Sequence, residues 1–116
     1  MYDVEFYRTP SGNCPMDEFL NSLSPKMATK ALLELKLLSE KGPALREPHS
    51  KPIGAGLFEL RIRTGSDIGR TFYFFFRGNR IVVTNGFIKK TRKAPQREID
   101  RARRMMADWI ERHGDE

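Results

Sequence analysis

Four cations, Lys89, Lys90, Arg92 and Lys93, follow an apolar, β-rich run and stand just before Pro95. Positive charge gathered at the rim of a sheet is an arrangement that holds a polyanion. Upstream, Arg61 and Arg63 alternate on the polar side of one expected strand, and Arg70 begins the next. A guanidinium presents a planar fork of donors that fits a pair of non-bridging phosphate oxygens. A lysine crowded by other cations has its ammonium form disfavoured, which lowers its pKa and lets it share in proton transfer. Adjacent strand residues point to opposite faces, so one of Lys89 and Lys90 faces the arginines. The spacing leaves open which one does.

The wider charge distribution agrees. Residues 51 to 104 carry fourteen Lys and Arg against four acids, whereas residues 1 to 50 carry six against seven and residues 105 to 116 one against four. The net charge of +6 and the pI near 9.8 therefore come from one region, as a binding face for an acidic partner requires. A spanning helix is not expected, because the longest apolar run, Phe72 to Phe76, falls far short of the roughly 20 residues needed. The acidic N-terminus, with Asp3 and Glu5, does not resemble a signal peptide, so a cytoplasmic protein is expected. Cys14 stands alone, which excludes an internal disulfide, and no paired Cys/His spacing points to zinc; neither metal nor cofactor is expected. The two histidines, His49 and His113, are far apart in the chain, and His49 reads as a solvated loop residue.

These side chains must be placed by the elements around them. Tyr2, Val4 and Phe6 alternate with Asp3 and Glu5, which predicts an opening strand. Pro15 starts a short helix, and Ser24-Pro25 a longer one in which Ala28, Ala31, Leu32, Leu35 and Leu38 recur until Gly42-Pro43. Residues 43 to 56, holding three of the seven prolines, read as a loop. Strands follow at Leu57 to Arg63, Arg70 to Arg77 and Arg80 to Ile88, with turns at Gly65-Ser66-Asp67 and Gly78-Asn79. The middle strand is aromatic on both faces. Pro95 opens a final helix with an apolar stripe of Ile99, Ala102, Met106, Trp109 and Ile110; Arg97, Arg101, Arg103 and Arg104 crowd the remainder. The expectation is one α+β domain over residues 1 to 116, ordered strand-helix-helix-strand-strand-strand-helix, with a mostly antiparallel sheet and helices packed on one side.

Three stretches carry a family resemblance: Gly56-Leu57-Phe58-Glu59-Leu60-Arg61, Gly69-Arg70-Thr71-Phe72-Tyr73-Phe74, and Gly86-Phe87-Ile88-Lys89-Lys90-Thr91 followed by Pro95 and Glu98-Ile99-Asp100-Arg101-Ala102. With the helical hairpin, they make the chain resemble the RelE/ParE superfamily of type II toxins, in particular its phage-derived HigB-like branch. The resemblance implies a RelE-like fold and a ribosome-dependent mRNA interferase, an endoribonuclease that inhibits translation. It also implies a HigA-like helix-turn-helix antitoxin, through which the pair binds operator DNA. ParE-like relatives instead inhibit DNA gyrase without catalysis, and a noncatalytic basic RNA-binding module is a further alternative.

Metal-independent RNA cleavage needs the ribose 2′-OH to attack the adjacent phosphorus, a base for that hydroxyl, an acid for the leaving 5′ oxygen, and cations for the crowded phosphorane. The resemblance assigns this catalysis to Arg61 and Arg70 as a phosphate clamp and to Lys89 or Lys90 in proton transfer. Arg63, Arg92 and Lys93 would track the RNA backbone, and Tyr73 would stack a base unless it packs in the core. Arg61 has a plainer alternative as a partner of Glu59, an acid where RelE-like proteins tend to carry a base. Arg70 has one as a solubilising charge beside a turn. No tyrosine follows the lysine pair, so cleavage would lean on lysine or a ribosomal group. The requirement is geometric: the cationic tips must converge on one surface and not be locked in carboxylate bridges.

Overall fold

The computed structural model describes residues 1–89 and 94–114. Its elements run β1 (Asp3–Phe6), α1 (Pro15–Ser22), α2 (Pro25–Lys41), a 3-10 turn (Gly42–Ala44), β2 (Ser50–Gly54), β3 (Leu57–Thr64), β4 (Asp67–Phe76), β5 (Arg80–Lys89) and α3 (Gln96–His113). The five strands form one mixed sheet in the order β1-β5-β4-β3-β2. Only β1 and β5 run parallel; the other three pairs are antiparallel.

Local chemistry accounts for the helical hairpin. The Ser24 hydroxyl accepts from the Met27 amide at 3.2 Å and Pro25 fills the first helical position, so α2 starts where its orphan donors are met. It stops at Gly42, whose φ of +53° favours glycine and whose missing side chain leaves room for the Tyr2 ring. From α2, Met27, Ala31, Leu35 and Leu38 pack with Phe19 of α1 against Leu60, Ile62, Tyr73, Ile81 and Val83 of the sheet. Two motif glycines seat α1: a Cβ on Gly86 would stand 2.4 Å from Phe19, and one on Gly69 would touch the same ring.

The structure corrects two expectations. Helices cover both faces, because β4 is aromatic on both: Tyr73 and Phe75 face α1 and α2, while Phe72, Phe74 and Phe76 face α3. Trp109 and Met105 of α3 bury Phe74, Phe76 and Val82, with the Trp109 ring edge-on to Phe76. Secondly, the stretch read wholly as loop contains β2, which pairs Ser50, Lys51 and Pro52 with Leu60, Glu59 and Phe58. Proline is tolerated there because β2 is an edge strand with one neighbour.

Candidate functional site

Register brings the expected side chains together. Arg61 of β3 lies directly opposite Arg70 of β4, and Lys51 of β2 opposite Glu59. On the far side of β4, Arg70 pairs with Phe87 and Ile68 with Lys89. A bulge decides the orientation of β5: between the pairs Thr71–Gly86 and Tyr73–Val83, β5 holds one residue more than β4, which reverses its alternation. Phe87 therefore packs on Phe72 beneath α3, and Lys89 shares the face of Arg61 and Arg70. Lys89, one of the two lysines left open by spacing, lines the site. Lys90, Arg92 and Lys93 lie outside the described residues.

The first turns of α3 and the aromatic end of β4 leave this part of the face open as a cleft of about 370 Å³. Lys51, Arg61, Arg70 and Lys89 line it around the single carboxylate of Glu59, with Ile53, Ala94 and Ile99 supplying apolar walls. Glu59 is 3% exposed and accepts a hydrogen bond from Arg70 Nη1; Arg61 Nε stands 3.7 Å from the same oxygen. Arg61 also reaches Glu47, at 3.9 Å. The Nε atoms of both arginines are buried and have no hydrogen-bond partner among the described residues. Burial lowers the Arg70 pKa despite the pull of Glu59, and burial followed by repulsion from Arg70 lowers that of Lys89, with Glu59 opposing.

Two site expectations need correction. Arg70 is not a solubilising charge at a turn: it sits inside β4, 4% exposed, because Glu59 compensates its guanidinium from the neighbouring strand. Tyr73 is 1% exposed on the opposite face, stacked on Phe58 and hydrogen-bonded to Ser50, so it cannot reach a base. Arg63 is exposed on β3 and lines a smaller neighbouring cavity. Of the α3 arginines, Arg103 donates to the Gly54 carbonyl at 3.1 Å and Arg101 lies near Glu98.

His49 lies in the turn ahead of β2, but its ring is partnered as well as partly exposed. Its Nδ1 lies 3.1 and 3.0 Å from the two oxygens of Glu34, a buried carboxylate on α2. The signal was legible in part: Glu34 falls on the core-facing stripe between Ala31 and Leu38, where an acid must have a partner. Lys51 could not be found without recognising β2. Among the described residues no three His, Cys, Asp or Glu gather as metal ligands would, and no helix is long and apolar enough to cross a membrane.

The chain is thus a small α+β domain whose mixed sheet floors a cation-lined cleft. Residues 18–107 match the family described as phage derived protein Gp49-like (DUF891), and the chain belongs to that family. It is a type II toxin family of RelE-like toxins, which implies an antitoxin partner. No curated protein matches the chain.

Proposed function

We propose that this protein is a HigB-like toxin that cuts mRNA on the ribosome, without metal or cofactor, and thereby arrests translation. One observation carries the reading: Arg61, Arg70 and Lys89, from three adjacent strands, line a single open cleft. Glu59 engages one donor of Arg70 and leaves others of its guanidinium for a phosphate. In this reading the Glu59 carboxylate also fixes the fork in position. Among the described residues lining it, four cations stand against one carboxylate, which leaves the cleft positive.

In this reading Arg61 and Arg70 clamp the scissile phosphate and stabilise the phosphorane as charge accumulates on its oxygens. Lys89, whose pKa burial and Arg70 hold down, passes a proton to the departing 5′ oxygen more readily than an ordinary lysine. Arg63 follows the backbone beyond the cleft. The protein acts in the cytoplasm, where a HigA-like helix-turn-helix antitoxin neutralises it and ties the pair to operator DNA.

Primer extension on an mRNA incubated with purified protein, with and without ribosomes, tests this directly. Cuts confined to the ribosome-containing reaction are expected. Intact mRNA together with inhibited gyrase supercoiling would replace the proposal with a ParE-like one; salt-sensitive RNA binding without cuts would leave a binding module.

A further inference from the structure

We infer that the His49–Glu34 pair is the proton acceptor for the attacking 2′-hydroxyl, a role that rests on the nuclease reading above. His49 stands just ahead of β2, beside Arg61, whose amide donates to the His49 carbonyl at 2.8 Å. Its ring is gripped at one edge: Nδ1 meets both oxygens of Glu34, which is itself 5% exposed and 3.4 Å from Lys30. A carboxylate there holds the proton on Nδ1 and leaves Nε2 as the basic nitrogen. Nε2 makes no hydrogen bond among the described residues, and the side chain keeps 39% of its exposure, so a substrate hydroxyl has access.

Position relative to the clamp is the second argument. His49, Glu34, Lys30, Arg61 and Arg63 line a cavity of about 120 Å³ that shares Arg61 with the cationic cleft. His49 therefore flanks Arg70 from the β3 edge, and Lys89 flanks it from β5 on the opposite side. Three strand spacings put the two backbones about 14 Å apart. In-line displacement at phosphorus needs its base and acid on opposite sides of the phosphate. Here His49 Nε2 takes the 2′-OH proton as the 2′ oxygen bonds to phosphorus. The bond from phosphorus to the 5′ oxygen breaks, that oxygen receives a proton from the Lys89 ammonium, and a 2′,3′-cyclic phosphate remains. Transfer from the imidazolium back to the lysine through water restores the starting state.

The charged groups around the imidazole are Glu34 and Lys30 of α2, Arg61 and Arg63 of β3, and Glu47, which reaches Arg61 from the preceding segment. The experiment measures the cleavage rate of ribosome-bound mRNA by the full chain against pH. Wild-type rates should rise with pH along a limb set by the group that accepts the 2′-OH proton. His49→Gln, which keeps a donor for Glu34, should fold and melt like the wild type yet cut on the order of 10² to 10⁴ times more slowly, with the rising limb gone. Added imidazole should restore cutting to His49→Ala. A His49→Gln protein with the wild-type rate and pH profile would overturn the assignment, as would a His49→Ala protein that imidazole does not rescue. Either result leaves the nuclease reading standing as long as the wild type cuts; a wild type that does not cut removes both.

Discussion

Replacing Arg70 separates its structural role from its proposed chemical one. The Arg70 and Glu59 side chains keep only 5% and 3% of their exposure, so Arg70→Ala leaves a carboxylate that water hardly reaches. Breaking a buried ion pair from one side costs about 3–5 kcal/mol. Arg61 Nε remains 3.7 Å from the same oxygen and offsets part of the loss, which puts the expectation at the low end, about 3 kcal/mol. In a domain of this size each kcal/mol moves Tm by roughly 3–6 °C, so thermal melting followed by circular dichroism should show a fall of roughly 9–18 °C. Loss of growth arrest in that variant would therefore say little about chemistry. The double variant Glu59→Met with Arg70→Met removes both charges while nearly keeping their volume, and should melt within about 1 kcal/mol of the wild type or above it. It should nevertheless be non-toxic in a growth assay. Arg70→Ala melting like the wild type would refute the stability argument, and a well-folded, fully toxic double variant would take Arg70 out of the mechanism.

Two further outcomes test the packing that carries the site. Tyr73→Phe strands the buried Ser50 hydroxyl and should cost about 1–2 kcal/mol without reducing toxicity, because the ring faces α1 and α2. Burial raises the Tyr73 pKa above its ordinary 10.0, so the folded state prefers the neutral phenol. Its contribution is present below pH 10.0 and is lost as pH climbs through the raised value; an alkaline melting series should show a smaller loss in Tyr73→Phe. Gly86→Ala puts a methyl group 2.4 Å from Phe19 and should destabilise by about 1–3 kcal/mol, with part recovered in a double variant that trims Phe19 to Leu. Full stability of Gly86→Ala would mean that α1 does not need that close approach.

Much of this protein was readable because its signals are local. Ser24-Pro25 and Gly42-Pro43 bracket α2 through capping chemistry that acts within a few residues. The alternation of Leu57 to Arg63 puts Glu59, Arg61 and Arg63 on one polar face whatever the sheet pairs with. The double-sided aromatic run of β4 marks a central strand, and it also implies cover on both faces, a consequence missed by the one-sided expectation. β2 was hidden because proline and glycine, which read as loop locally, are tolerated on an edge strand held from one side only.

The sequence by itself determined the order of the elements other than β2, the regional positive charge and the polar face of β3, since each follows from periodicity and composition along a short stretch of chain. Tertiary structure alone decided which cations meet. One extra residue in β5 turned Lys89 toward the arginines, and pairing across strands set Glu59 between Arg61 and Arg70 and brought Glu34 of α2 to His49. The Glu59–Arg70 and Glu34–His49 contacts join residues 11 and 15 positions apart through strand register and helix docking, and register is a property of the assembled sheet that no single strand encodes.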